Sequence, residues 1–215
     1  MKHRIVYIDE NDGWLNQVYQ TLKDDFEVTK IKVDAESSVE DIMGKLSELE
    51  IDAIITDYLL EEEGEVSFNG NMIVEEVRKT APHFPIIMLT SHEPQAISHM
   101  DDVHIIYGKS IFDGESEDEL SIFKSKVKSN ISTYYSKIND TNNRIEELVK
   151  KQNEEGLGLT EEEELTKLFT LMDELEPDGK ELPANLIHPN SITKLNDFVA
   201  ETRAILEELK KGNKS

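Results

Sequence analysis

The chain contains no cysteine, which excludes disulfides and thiolate metal sites and, with them, a secreted disulfide scaffold. Positive charge is also scarce, because 23 Lys and Arg stand against 46 Asp and Glu, a formal net charge of −23. Nucleic acids and anionic membrane surfaces require a basic face, so neither is an expected partner. No apolar run is long enough to span a membrane, and the first is too short for a signal peptide. We therefore expect an acidic, soluble, cytoplasmic protein.

Residues 51–60 read IDAIITDYLL and predict a short strand that is apolar on both faces. Such strands occur in parallel sheets that are covered by helices on both sides. Asp57 lies where this strand stops, and carboxylates are rarely buried without a partner. Binding sites in open parallel sheets form at the carboxyl ends of the strands, so Asp57 marks a candidate site.

Four further runs predict strands, separated by segments with helical periodicity: His3–Ile8, Phe26–Val33, Pro85–Leu89 and Val103–Tyr107. Three of these strands are followed by reactive or charged side chains: Asp9 and Glu10 follow the first, Thr90 follows PIIML, and Lys109 follows the last after Gly108. Together with Asp57, these side chains are expected at one edge of the sheet. Three close carboxylates repel each other, and Mg²⁺, which prefers oxygen ligands, would relieve that repulsion.

These five positions, in this order on alternating strands and helices, resemble the receiver domain of two-component response regulators. The resemblance covers residues 1–130 and implies an α/β fold, a flavodoxin-like doubly wound sheet of five parallel strands in the order 2-1-3-4-5. It also implies that Asp57 accepts a phosphoryl group from a histidine kinase or phosphotransfer protein in a Mg²⁺-dependent reaction. The other implied roles are direct metal binding by Glu10 with help from Asp9, metal binding by the backbone carbonyl of Leu59, and contacts to the phosphoryl group by Thr90 and Lys109.

The sequence departs from the family pattern at several positions. The loop between Asp57 and Gly70 is longer than usual and has no proline, and Ser110 stands where most receivers have proline. Ile106 occupies a position where many receivers carry a switch aromatic, and Tyr107 is one residue away. The phosphorylation chemistry is expected to be retained, while the usual switching by threonine and tyrosine is not implied.

From Glu117 onward the apolar residues are spaced three, four or seven apart, with no Pro or Gly before Gly156, which predicts one long helix or two collinear ones. Thr160-Glu-Glu-Glu predicts the start of a helix over Glu161–Leu175, and another is predicted from Asn190 or Ser191 to Lys211. We interpret residues 131–215 as an all-α extension and an output module for protein interactions. Its helices are expected to close into a small bundle, although a homodimer through the long helix is also possible.

The leading hypothesis is a response regulator that signals through protein contacts to an unidentified partner, because the extension has no basic recognition helix for DNA. The alternative is a stand-alone phosphoryl sink or relay without an output of its own. A phosphatase with an aspartyl-phosphate intermediate would need an acid at position 59, which is Leu59. A scaffold without phosphorylation is disfavoured because all five positions are present. We expect no enzymatic activity beyond self-catalysed phosphorylation of Asp57 and its reversal.

Overall fold

The computed structural model of the protein describes residues 2–61, 66–91 and 102–176. Five parallel strands form one sheet in the order β2-β1-β3-β4-β5, which confirms the predicted flavodoxin-like fold. The strands are β1 (His3–Asp9), β2 (Phe26–Lys32), β3 (Ala53–Asp57), β4 (Ile86–Thr90) and β5 (Ile106–Gly108). The helices are α1 (Asp12–Leu22), α2 (Val39–Ser47), α3 (Gly70–Thr80), α4 (Glu117–Glu154) and α5 (Leu159–Leu175).

Alternating residues of the strands build two cores, one on each face of the sheet. Val6 and Ile8 point to the face covered by α2 and α3, while Ile5 and Tyr7 point to the face covered by α1 and the first part of α4. This division follows from the two-residue period of a strand, which sends neighbouring side chains to opposite faces. The sheet is therefore buried on both sides, and its carboxyl edge is left for polar groups.

α4 is a single helix of 38 residues, the first of the two arrangements that the uninterrupted pattern allowed. Its first part packs on the sheet through Phe123, Val127 and Ile131, and its second part packs on α5. The apolar residues of that second contact are Ile138, Ile145, Leu148, Leu165, Met172 and Leu175. The predicted domain division at residue 130 thus falls inside a continuous helix and stays a prediction. No described helix combines the length and the apolar character needed to cross a membrane.

Several predicted boundaries were wrong. Residues 103–105 form a 3-10 turn, because the Asp102 side chain accepts the backbone N–H of His104 at 3.1 Å, and β5 begins only at Ile106. Thr160 is not the cap of α5, since the helix begins at Leu159 and the Glu161 carboxylate accepts the N–H of Gly158 at 3.1 Å. β3 is shorter than the predicted run 51–60. The helix predicted over 190–211 lies outside the described residues.

Candidate functional site

Three carboxylates meet at the carboxyl edge of the sheet. Asp9 ends β1 and Asp57 ends β3, and the two strands pair in register up to Ile8 and Thr56. Glu10 follows Asp9, and one carboxylate oxygen from each of the three residues lies within 4.8 Å of the others. Asp9 and Asp57 are buried and Glu10 is partly buried. The predicted acidic cluster is therefore present as a single group of close carboxyl groups.

Lys109 provides the positive charge of this site. Its ammonium lies 2.9 Å from Asp9 Oδ2 and 2.9 Å from Asp57 Oδ1, and the residue is only 4% exposed. Burial alone would lower the pKa of Lys109, but the charges of Asp57 and Asp9 outweigh it and raise the pKa above its ordinary value. The ammonium also lies 5.0 Å from the centre of the Trp14 ring, a favourable cation–π distance. Lys109 is thus held charged between two carboxylates.

Asp9 and Asp57 accept further hydrogen bonds, each from a different set of donors. Asp9 Oδ2 accepts the hydroxyl of Tyr7 as well as Lys109, and its Oδ1 accepts the backbone N–H of Asn11 at 2.8 Å. Asp57 Oδ2 accepts the backbone N–H of Leu59 at 3.1 Å. The predicted role of the Leu59 carbonyl as a metal ligand stays a prediction.

Glu10 is the least satisfied of the three acids. Its Oε2 is buried and has no hydrogen-bond partner within the described part of the chain. Burial, followed by the charge of Asp9, raises the pKa of Glu10 to about 7. Burial also raises the pKa of Asp57, against the opposing effect of Lys109. Because the three acids offer hard oxygen ligands and one of these oxygens is buried without a partner, the residues fit a divalent cation such as Mg²⁺.

Thr90 reaches the same edge by way of β4. Leu89 pairs with Asp57 in the sheet, and Thr90 follows it and pairs with Gly108, the residue before Lys109. Thr90 is buried, at 1% exposure. The sheet order therefore brings all five predicted site residues together at one edge, and their roles stay predictions.

Sequence reasoning missed two residues that shape this site. The apolar run predicts Tyr7 only as a buried strand residue, and nothing in the periodicity shows that its hydroxyl donates to Asp9. Gly70 begins α3 directly against the end of β3, where a Cβ atom would overlap the carbonyl oxygen of Asp57. A glycine at a helix start after a long loop is a signal for such a close approach.

No known protein-family model matches the chain, and no curated protein matches it. Many of the similar solved structures are receiver domains of response regulators. A chemotaxis response regulator of Vibrio cholerae is 20% identical, with 59% of this chain and 99% of that chain covered and a TM-score of 0.45. A response regulator of Thermotoga maritima in complex with Mg²⁺-BeF has the same identity and coverage and a TM-score of 0.44.

A structure described as an adenylate cyclase from Rhodopirellula baltica is also similar, with 18% identity, 70% of this chain and 99% of that chain covered, and a TM-score of 0.49. Identities this low say nothing about residue roles. The fold assignment rests on the strand order and register of this chain.

Proposed function

We propose that this protein is a response regulator whose Asp57 accepts a phosphoryl group from a histidine kinase or a phosphotransfer protein. The observation that carries the proposal is the position of the Lys109 ammonium, 2.9 Å from both Asp9 and Asp57 within a cluster of three acids. Phosphoryl transfer depends mainly on positioning and on neutralising charge, and this edge of the sheet offers both. The likeness to receiver domains agrees with it in fold.

In the proposed step, a carboxylate oxygen of Asp57 forms a bond to phosphorus while the phosphorus–nitrogen bond of the donor phosphohistidine breaks. The bonding electron pair stays on the imidazole nitrogen, which then takes a proton from water. Lys109 already contacts Asp57 and would pair with an oxygen of the new phosphoryl group. Thr90, at the end of the neighbouring strand, would donate its hydroxyl to another.

Glu10 and Asp57 would hold Mg²⁺, with Asp9 next to them. When bound, the ion supplies positive charge that neutralises the phosphoryl oxygens. We propose that output passes through protein contacts of α4 and α5, since a net charge of −23 disfavours nucleic acid. The downstream partner would therefore be a protein, not a DNA site.

The test is intact-mass spectrometry after incubation with Mg²⁺ and acetyl phosphate. The wild type is expected to gain one phosphoryl group, and Asp57→Asn is expected to gain none. Asp24→Asn is the control, because it also removes one carboxylate but lies exposed and outside the site. Labelling of Asp57→Asn at the wild-type rate would overturn the assignment, as would wild-type labelling that does not require Mg²⁺.

A further inference from the structure

Tyr7 is fully buried on β1, two residues before Asp9, so both side chains point to the same face of the strand. Its ring packs in the core beneath α1 and α4, and its hydroxyl donates to Asp9 Oδ2. Burial, followed by the charge of Asp9, raises the pKa of Tyr7 well above its ordinary value. The hydroxyl therefore keeps its proton and acts toward Asp9 as a donor.

Asp9 receives three donors, from Tyr7, Lys109 and the backbone of Asn11. The same oxygen, Oδ2, accepts both the tyrosine hydroxyl and the lysine ammonium. Two donors on Oδ2 and a third on Oδ1 restrict the direction in which the carboxylate faces. Glu10, in contrast, has a buried oxygen without a partner among the described residues.

We propose that Tyr7 is a positioning residue, which fixes the carboxylate of Asp9 so that Asp9 holds Lys109 beside Asp57. Asp9 then serves mainly as the counterion of Lys109, and metal binding falls to Glu10 and Asp57. Only the kinetic test of this inference rests on the proposed function. The structural test does not, because Trp14, the one tryptophan of the chain, lies 5.0 Å from the ammonium and reports its position.

The structural test compares the Trp14 emission of metal-free Tyr7→Phe with that of the wild type. Tyr134→Phe is the matched control, since it also removes one hydroxyl donor, to the carbonyl of Leu175, far along α4. We expect a change in emission for Tyr7→Phe and none for Tyr134→Phe. Asp9→Asn is expected to give the same change, and Tyr7→Phe added to Asp9→Asn is expected to add nothing, because Tyr7 acts through Asp9.

The kinetic test uses acetyl phosphate. Tyr7→Phe is expected to lower the labelling rate at saturating donor and Mg²⁺ by roughly tenfold, since misplaced catalytic groups cost rate. The half-saturating Mg²⁺ concentration is expected to stay close to that of the wild type. If Tyr7→Phe folds and its Trp14 emission equals that of the wild type, the inference is overturned. If Tyr7→Phe does not fold, unchanged Trp14 emission in Asp9→Asn overturns it instead. Failure of the wild type to be labelled would instead overturn the proposed function.

Discussion

The hydroxyl of Tyr135 on α4 donates a 2.7 Å hydrogen bond to the carboxylate of Asp52, at the amino-terminal end of β3. Asp57 lies at the other end of the same strand. Asp52 also accepts the backbone N–H of Arg4 at 2.7 Å, near the start of β1, the strand that ends in Asp9. Both strands that supply acids to the site are therefore joined to α4 at their opposite ends.

Removing the Tyr135 hydroxyl should weaken this junction. The Asp52 side chain is only 9% exposed, so Tyr135→Phe leaves a largely buried carboxylate with one donor fewer. We expect a loss of about 1–3 kcal/mol in the free energy of unfolding, the range for hydrogen bonds to charged groups and for buried groups left unsatisfied. Urea denaturation measures it. The control is Tyr19→Phe, which keeps the ring under Lys30 and should change little; an equal loss in both variants would contradict the prediction.

Two glycines in helices provide a matched pair for testing the approach of α3 to the phosphoacceptor strand. Gly70→Ala would push a methyl group into the carbonyl of Asp57, so we expect a loss of stability and slower labelling of Asp57. A Cβ atom at Gly44 in α2 would have no neighbour within 4 Å, so Gly44→Ala should raise the free energy of unfolding by about 0.5–1 kcal/mol. Thermal unfolding and intact-mass labelling check both. Labelling of Gly70→Ala at the wild-type rate would show that the contact does not position Asp57.

The raised pKa of Glu10 predicts an unusual pH dependence in the absence of Mg²⁺. The pKa of the Glu10 carboxyl is about 7 in the folded protein, which is higher than its ordinary value in the unfolded chain. Protonation therefore stabilises the fold below the ordinary pKa of glutamate, and this stabilisation is lost as the pH rises through about 7. The charges of Asp9, Asp57 and Lys109 also act on the Glu10 carboxyl. A variant that changes only Glu10 is therefore needed to separate its titration from theirs.

The measurement is the thermal midpoint of the wild type relative to Glu10→Gln, between about pH 5 and about pH 8. Without Mg²⁺, we expect the wild type to lose stability relative to Glu10→Gln as the pH rises. Addition of Mg²⁺ should reverse the trend, because a cation favours the charged carboxylate. A midpoint difference that does not vary with pH would show that Glu10 titrates normally.

The sequence was sufficient for the sheet and for the expectation that the five site positions share one edge, because β1, β3 and β4 are short and largely buried and end in Asp9, Asp57 and Thr90. The errors in boundaries arise because side chains cap the backbone locally. Asp102 caps a turn where the apolar run predicts a strand, and the Glu161 carboxylate accepts the backbone N–H of Gly158 at the start of α5. The contact of Tyr135 with Asp52 joins residues 83 positions apart and leaves no trace in local periodicity. Tyr7 was missed for a related reason, since a buried tyrosine in a strand looks like any other apolar residue until its hydroxyl partner is known.

We expect phosphorylation to reach α4 through the turn that begins at Lys109. Lys109 begins a 3-10 turn, Lys109–Phe112, that directly precedes the loop into α4. The ring of Phe112 packs edge-on against Phe123 of α4, with centroids 5.5 Å apart. A phosphoryl group that draws Lys109 away from Asp9 would therefore move a turn that contacts the helix. Phosphorylation needs only to change the relative stability of two arrangements of this turn against α4. A small displacement of Lys109 is therefore sufficient.

Hydrogen exchange with and without Mg²⁺ and beryllofluoride tests this route. We expect altered protection in 117–131, the part of α4 that packs on the sheet, and a smaller change in 138–154, which packs on α5. Phe112→Leu should reduce the change in α4 while leaving that around Asp57, because it shortens the side chain that links the turn to Phe123. Ile122→Leu, on the exposed side of α4, is the control. If protection changes only around Asp57 and Thr90, α4 does not carry the signal, and a phosphoryl sink without its own output becomes the better account of the protein.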